Sequence, residues 1–358
     1  MKKKVLVGMS GGVDSSVAAY LLKKEGYEVI GVTMDLWSFK DYGGGESKES
    51  APFEDARAVA EQLNIPHYLV DFKERFKHYV VNNFKEEYMK GRTPNPCVVC
   101  NTKIKWKDLY DKALELGCDY ISTGHYAKIA YDEKTGFYNL LRGDDHRKDQ
   151  SYFLYGVTQE SLSKTLFPLQ GVEKSEVRKI AEKIGLKTAE KKESQEICFI
   201  PDNDYKRFLN ENIKDFKNLI KPGKMVDNEG KDINRKHDGY PFYTVGQRKG
   251  LGGGFPLPMY VKEIDSKKNI VKISTKEHLY KNRVKVSKLS WIGEIPREGE
   301  EYSAKIRFNT EDKPCRLEFI DDDNLIIVFE NDVYAVAPGQ SAVIYKGNIV
   351  MGGGVIDS

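Results

Sequence analysis

The stretch Val5-Leu6-Val7-Gly8-Met9-Ser10-Gly11-Gly12-Val13-Asp14-Ser15-Ser16 decides the fold. Three lysines precede an apolar run long enough for one buried strand. A Ser-Gly-Gly turn follows, and Val17, Ala18, Tyr20, Leu21 and Leu22 continue at helical spacing. Strand, glycine turn and helix in that order predict an anion site. Ser10, Ser15 and Ser16 carry hydroxyl donors, Gly11 and Gly12 admit a close approach, and the helix start aims unpaired N–H groups and a positive dipole end at the same point. No Gly-Lys-Ser/Thr follows the glycines, so no lysine from this turn reaches a terminal phosphate, and the spacing is not Gly-x-Gly-x-x-Gly either.

Working outward, the chain alternates. Tyr27–Met34 reads as a second strand, residues 38–50 with Gly43-Gly44-Gly45 as a mobile surface loop, Phe53–Leu63 as a helix and His67–Val70 as a third strand. A helix-rich stretch from Phe72 to Met89 precedes Gly91-Arg92-Thr93-Pro94-Asn95-Pro96, whose prolines predict an extended path up to Cys97. Thr102–Leu116 is again helical, Tyr120–His125 reads as a strand running into a loop, and Lys174–Ile184 as a further helix. The expectation is an α/β domain with a parallel sheet, its ligands gathering at the carboxyl ends of the strands. Past residue 203 the composition changes. Residues 217–250 hold eight Lys/Arg against four Asp/Glu, interleaved with Tyr240, Phe242 and Tyr243, which suits RNA contact or a solvated loop face. From Val284 seven short β-type runs predict a small β-barrel or sandwich: Val284–Ile292, Glu301–Phe308, Cys315–Ile320, Leu325–Phe329, Val333–Val336, Ser341–Tyr345 and Ile349–Ile356. The division expected is 1–202, 203–275 and 276–358.

A chain of 358 residues is long for one domain, and 57 Lys+Arg against 54 Asp+Glu give a net charge of only +3, so overall charge neither demands nor excludes nucleic acid. No apolar run approaches a membrane span and the N-terminus enters the first strand directly, so neither a membrane segment nor a signal peptide is expected. Five cysteines without an export signal predict reduced thiols in the cytoplasm. Cys118 and Cys315 sit in strand-like surroundings and are expected to pack. Cys97-Val98-Val99-Cys100 alone is a weak signal, because a zinc site needs a second ligand pair at short spacing and the sequence offers none.

Ser10–Ser16 is similar to the pyrophosphate loop of the ATP pyrophosphatases, which split ATP to AMP and pyrophosphate while adenylating an oxygen. That motif, Gly91–Asn101, Ser122-Thr123-Gly124-His125-Tyr126, Lys148–Leu154, Glu196-Ile197-Cys198-Phe199-Ile200 and Pro338-Gly339-Gln340 together, in order and across essentially the whole chain, resemble the bacterial tRNA-specific 2-thiouridylases. The resemblance implies an N-terminal adenine-nucleotide α-hydrolase-like domain, a small central, mainly β domain, and a C-terminal β-barrel gripping the tRNA anticodon stem-loop. It implies ATP- and Mg²⁺-dependent replacement of the wobble-uridine C2 oxygen by sulfur. The loop Gly8, Met9, Ser10, Gly11, Gly12, Val13, Asp14, Ser15 and Ser16, with Met34 and Gly124, would hold ATP, and Asp14 would be needed for adenylation. Cys198 would carry the sulfur as a persulfide received from a donor or a relay protein, with inorganic sulfide as the other sulfur source. Cys100 would be the partner nucleophile, freeing sulfide or closing a transient disulfide with Cys198. Asn95, Pro96 and Cys97 would meet the target base, and His125, Lys148, Asp149, Gln150, Arg307, Phe308 and Gln340 the tRNA.

One departure stands out. Many members carry Asp, proposed as a general acid or base, where this chain has Cys97. Cys97, Cys100 and Cys198 would instead make a three-thiolate site suited to a [4Fe–4S] cluster. Another ATP pyrophosphatase acting on tRNA would share Ser10–Ser16 without needing Cys100 and Cys198, and a non-catalytic RNA-binding or thiol redox module would need no turnover.

Overall fold

The structure is a computed structural model that describes residues 2–42, 52–191 and 197–358. The N-terminal strands are β1 (Lys4–Gly8), β2 (Glu28–Asp35), β3 (His67–Asp71), β4 (Tyr120–Thr123), β5 (Ala127–Asp132), β6 (Phe137–Arg142) and β7 (Thr165–Leu166). Five of them form a parallel sheet in the order β3-β2-β1-β4-β7. Val5, Leu6 and Val7 are fully buried, Val5 and Val7 in one apolar layer with Val17 and Leu22 and Leu6 in the other with Trp106 and Leu109. Helices cover both faces, which is why β1 reads as an unbroken apolar run. The first strand lies between β2 and β4, so the chain order reverses there and a crevice opens at the carboxyl ends of β1 and β4.

The central region is a helix (Tyr205–Asn212) and a four-stranded sheet of β8 (Gly223–Val226), β9 (Asp232–His237), β10 (Tyr260–Asp265) and β11 (Ile270–Ser274), ordered β10-β11-β8-β9. The C-terminal region is a closed barrel of β12 (Tyr280–Trp291), β13 (Tyr302–Lys305), β14 (Lys313–Phe319), β15 (Asn324–Tyr334), β16 (Ser341–Lys346) and β17 (Ile349–Ile356), closing through the β12–β17 pairing. The expected three-part architecture is therefore present.

Four local readings change. The runs at 325–329 and 333–336 are one strand, β15, so seven expected strands are six; a register shift opposite Lys281 and Arg283 breaks the pattern that made them look separate. The extended path ends one residue earlier than expected, because Pro96 opens a helix, Pro96–Cys100, with Asn95 as its cap. Most of the predicted 38–50 loop lies outside the described residues, and Phe39–Tyr42 is one helical turn. The hairpin β5–β6 was not foreseen; it leaves the N-terminal domain and joins β17 through Leu141 and Ile349. No helix among the described residues is long and apolar enough to cross a membrane.

Candidate active site

The loop after β1 is built as its sequence requires. Gly11 sits at φ +70°, where an added Cβ would lie 2.4 Å from the Pro52 carbonyl oxygen. Gly124, just beyond β4, is pressed so closely on the loop that a Cβ would fall 2.6 Å from the Ser15 nitrogen. Both positions therefore exclude a side chain. Ser10 is exposed, and its N–H donates to Ser15 Oγ at 3.1 Å. Ser16 differs from expectation: its hydroxyl is fully buried and donates to the Gly12 carbonyl at 2.8 Å, so it shapes the helix start rather than facing a ligand. The helix it begins, Val13–Lys24, is long enough for its dipole end to matter. Met34, at the end of β2, reaches over Gly8, its Cε 3.7 Å from where a Gly8 Cβ would be.

Asp14 does not face open space. Lys174 Nζ donates to both of its oxygens, at 2.6 and 2.7 Å, and the Tyr126 hydroxyl donates at 2.7 Å. Lys174 opens the helix Lys174–Lys183 and is itself buried, its backbone N–H held by Asp145 at 3.3 Å. Lys191 Nζ donates to the Gly11 carbonyl at 3.1 Å. Neither lysine was legible as a site residue, being about 160 and 180 positions from the loop; Lys174 is buried and needs a counter-charge, and only the fold reveals which one.

The thiols lie at the same end of the sheet. A helix returning antiparallel to parallel strands starts at their carboxyl edge, which puts Pro96–Cys100 on the side of the phosphate loop. Farther along, Leu109 reaches the wall of Gly8. Asn95 and Pro96 set this helix, the first accepting from the Val98 N–H and the second occupying the first turn. Cys97 is exposed and Cys100 buried. Cys198 is exposed, but its neighbour Phe199 is buried among Phe76, Phe84 and Phe208 at centroid distances of 5.3–5.6 Å, in the apolar cluster that also contains Cys100. That anchor fixes residue 198 at the rim of the pocket holding Cys100. Residues 192–196, including Glu196 and the rest of the predicted polar loop, lie outside the described residues.

The three thiols act on one another. Desolvation by the pocket wall, then the neighbouring Cys100 and Cys97, pushes Cys198 up to about 12 although it keeps a solvent-facing surface. Desolvation likewise raises Cys100 to about 11, and Cys97 upward. The Lys105 ammonium opposes the shift at all three. Lys105 lies five residues after Cys100, which in an α-helix would turn it off that face. Residues Asn101–Asp108 instead form a wide π-helical stretch with i→i+5 bonding, so residue 105 stacks one turn beyond Cys100. Sequence spacing gave no signal for it. Burial, and then the same charge, hold His125 well below the usual imidazole range, so that ring is neutral at physiological pH. It accepts or donates at Thr123 Oγ1, 2.7 Å away, and packs edge-on to Trp106. Among the described residues no group of three or more His, Cys, Asp or Glu is arranged to hold a metal ion.

The expected RNA-contact residues divide. Asp149 is buried and accepts from the Gly143 and Ser151 N–H groups, shaping its own turn, while the Gln150 side chain accepts from Tyr126 N–H. Lys148 is half-buried in the same turn. The Phe308 ring packs against Phe153 at 4.4 Å. Arg307 donates to the carbonyls of Val245 and Ala335, joining the central region to the barrel. Gln340 donates to the carbonyls of Thr93 and Pro94, each at 3.0 Å. Between these segments a cavity of about 650 Å³ is lined by Arg142, His146, Arg147 and Lys305 together with Asp149 and Asp312. Cys118 and Cys315 are buried, as expected of packing residues.

Comparison with known proteins bears on this geometry. A family model described as a tRNA methyl transferase HUP domain matches residues 3–202, one described as a tRNA methyl transferase PRC-barrel domain matches 206–275, and one described as an aminomethyltransferase beta-barrel domain matches 281–356. The tRNA-specific 2-thiouridylase MnmA of Carboxydothermus hydrogenoformans is 47% identical over 362 residues, spanning 99% of this chain and 98% of that protein. The protein of the same name from Clostridioides difficile is 46% identical, spanning 100% and 99%. A solved 4-thiouridine synthetase–RNA complex with bound ATP aligns with 60% of this chain and 51% of its own at 17% identity and a TM-score of 0.39, too remote to carry an argument.

Proposed function

This chain belongs to the tRNA-specific 2-thiouridylase family, and we propose that it is a tRNA sulfurtransferase that uses ATP to replace the C2 oxygen of the wobble uridine by sulfur. The domain names of the family models speak of methyl transfer, whereas the full-length relatives are thiouridylases. The observation that carries the sulfur reading is the meeting of Cys97, Cys100 and Cys198 around one cation at the carboxyl edge that also carries the phosphate loop.

A uracil carbonyl oxygen is a poor leaving group. In the first step the C2 oxygen attacks the α-phosphorus of ATP and pyrophosphate departs, its charge received by the Ser10–Ser15 turn and the helix N-terminus. Gly124 and Met34 border the nucleotide. The Asp14 carboxylate is already balanced by Lys174, so a magnesium ion arriving with ATP would displace that ammonium from it or bind elsewhere. Sulfur then adds at C2 and AMP leaves. With a persulfide on Cys198, the terminal sulfur either attacks C2 directly, after which the Cys100 thiolate attacks the Cys198 sulfur and releases thiouridine, or Cys100 first displaces sulfide, which then attacks. Both routes end in a Cys100–Cys198 disulfide that a cellular dithiol must reduce by two electrons. The anchoring of residue 198 beside Cys100 supports this exchange.

Asn95, Pro96 and Cys97 would meet the base, flipped from its stack. Lys148, Asp149, Gln150, His125 and Phe308 would border the RNA, with catalysis in residues 1–202 and RNA grip in 276–358. Cys97 takes the place of an acid or base whose chemistry a thiol of raised pKa does not reproduce at neutral pH. The same three thiols are the only protein ligands we would assign to a [4Fe–4S] cluster, but their present arrangement is not a ligating one among the described residues. Thiolation of an unmodified tRNA transcript by iron-free protein, ATP and a persulfide donor tests the proposal. Thiouridine should form in proportion to AMP, and AMP without thiouridine would overturn it.

A further inference from the structure

The loop that delivers the thiols is held from outside its own domain as well as from within it. Residues 91–95 are gripped by the end of the C-terminal barrel, more than 240 positions away in the chain. Thr93 N–H donates to the Pro338 carbonyl at 2.8 Å, and Gln340 Nε2 returns two bonds, to the carbonyls of Thr93 and Pro94. Arg92 spans three partners: Glu87 at 2.6 Å on the preceding helix, Asp357 at 3.0 Å, and the carbonyl of Ile356, the last residue of β17, at 3.1 Å. Gly339, at φ +91°, lies so close that a Cβ would fall 2.8 Å from the Thr93 carbonyl oxygen. One residue farther on, the Tyr152 hydroxyl donates to the Ser341 carbonyl at 2.9 Å and also bonds Asn95, the cap of the thiol helix.

These bonds are directional and converge on four consecutive residues, Arg92 to Asn95, that end where the Cys97–Cys100 helix begins. Three of those residues are proline or precede one, Thr93, Pro94 and Asn95, so the path has little freedom left once its carbonyls are pinned. Resting on the sulfur-transfer reading above, we propose that Gln340 and Arg92 are positioning residues: the barrel holds the Gly91–Pro96 loop, and so sets Cys97 and Cys100 in register with Cys198. Gln340 then serves the reaction through the protein rather than through RNA. Its amide nitrogen is spent on two carbonyls that no backbone ladder satisfies, and a carboxylate in its place would repel both. Arg92 is the charged half of the same device, because it is the shorter of the two ion pairs, with Lys90 as the other, that balance buried Glu87.

The test is Gln340→Glu, with Gln340→Ala as a second variant that removes the donors without adding charge. Three readouts separate the roles: tRNA affinity by filter binding, tRNA-dependent pyrophosphate release, and the rates at which iodoacetamide labels Cys97 and Cys100 in the RNA-free protein, resolved by peptide mass spectrometry. A positioning role predicts that single-turnover thiolation falls about ten- to a hundredfold, as misplaced reacting groups do. Affinity should stay within about twofold, pyrophosphate release should fall less than thiolation does, and labelling of Cys97 should change severalfold without any RNA present. Asp357→Asn, which weakens only the Arg92 end, should move labelling in the same direction by less. Weakened tRNA binding with unchanged labelling would overturn the proposal and return Gln340 to the RNA interface. Unchanged thiolation in both Gln340 variants would overturn it as well. Failure of the wild-type protein to thiolate tRNA would instead count against the sulfurtransferase reading, since the labelling readout does not depend on it.

Discussion

The phosphate loop and the thiol pocket share one edge of the sheet but are made in opposite ways. The loop itself is contiguous: Gly8 to Ser16 carry it, the ends of two neighbouring strands wall it, and only the two lysines on Asp14 and Gly11 come from far along the chain. The pocket is composite, with Cys97, Cys100 and Lys105 on one helical stretch, Cys198 pinned by a phenylalanine from a segment about a hundred residues later, and the loop before them fastened to the barrel. Nucleotide chemistry asks for rigid donors around a familiar anion, which a short turn supplies. Sulfur exchange asks for groups that approach, react and separate, which favours pieces brought from different parts of the chain.

The sharpest way to break the contrast is to disable one half and watch the other. Cys198→Ser should abolish thiouridine while tRNA-dependent AMP formation continues near the wild-type rate; loss of both activities would mean the halves are not separable. In the converse direction, Gly124→Ala drives a Cβ into the Ser15 backbone. Adenylation should fall by about a hundredfold or more, as for lost oxyanion donors, while labelling of Cys100 by iodoacetamide stays unchanged.

A smaller effect tests the electrostatics of the pocket. Cys100 is raised to about 11, so near neutrality it is a thiol whose reactive anion grows with pH. Its labelling rate should climb about tenfold per pH unit between roughly pH 7 and 9, and a plateau in that window would contradict the assigned shift. Lys105→Gln should lower the rate at a fixed pH by about tenfold if the ammonium is worth one pK unit; Lys105→Arg should restore it. The smallest effect belongs to the RNA side: Lys148→Ala should weaken tRNA binding modestly and reduce its salt slope by about one.

The same division governs what the sequence discloses. Strand, turn and first helix are legible because each rests on local chemistry: an apolar run, a left-handed glycine, a helical period. Even there Ser16 misleads, since its hydroxyl satisfies the turn instead of a ligand. The thiols were legible as residue types in a family pattern, not as a place. Lys105 escapes because α-helical spacing turns it away from Cys100, and only the wide turn brings it back. Lys174 escapes because its partner is about 160 residues distant. The hairpin β5–β6 was missed because two strands alone are marginal, and their stability comes from β17 at the far end of the chain.

The measurement that bears most directly on the account is a single turnover of iron-free protein carrying persulfide on Cys198, mixed with ATP and unmodified tRNA, with the anticodon fragment weighed by mass spectrometry. The account predicts one sulfur-for-oxygen exchange at the wobble uridine for each persulfide consumed, with one AMP released and the Cys100–Cys198 disulfide left behind. AMP release with no change in the mass of that fragment, or the same sulfur gain from Cys198→Ser protein, would contradict it.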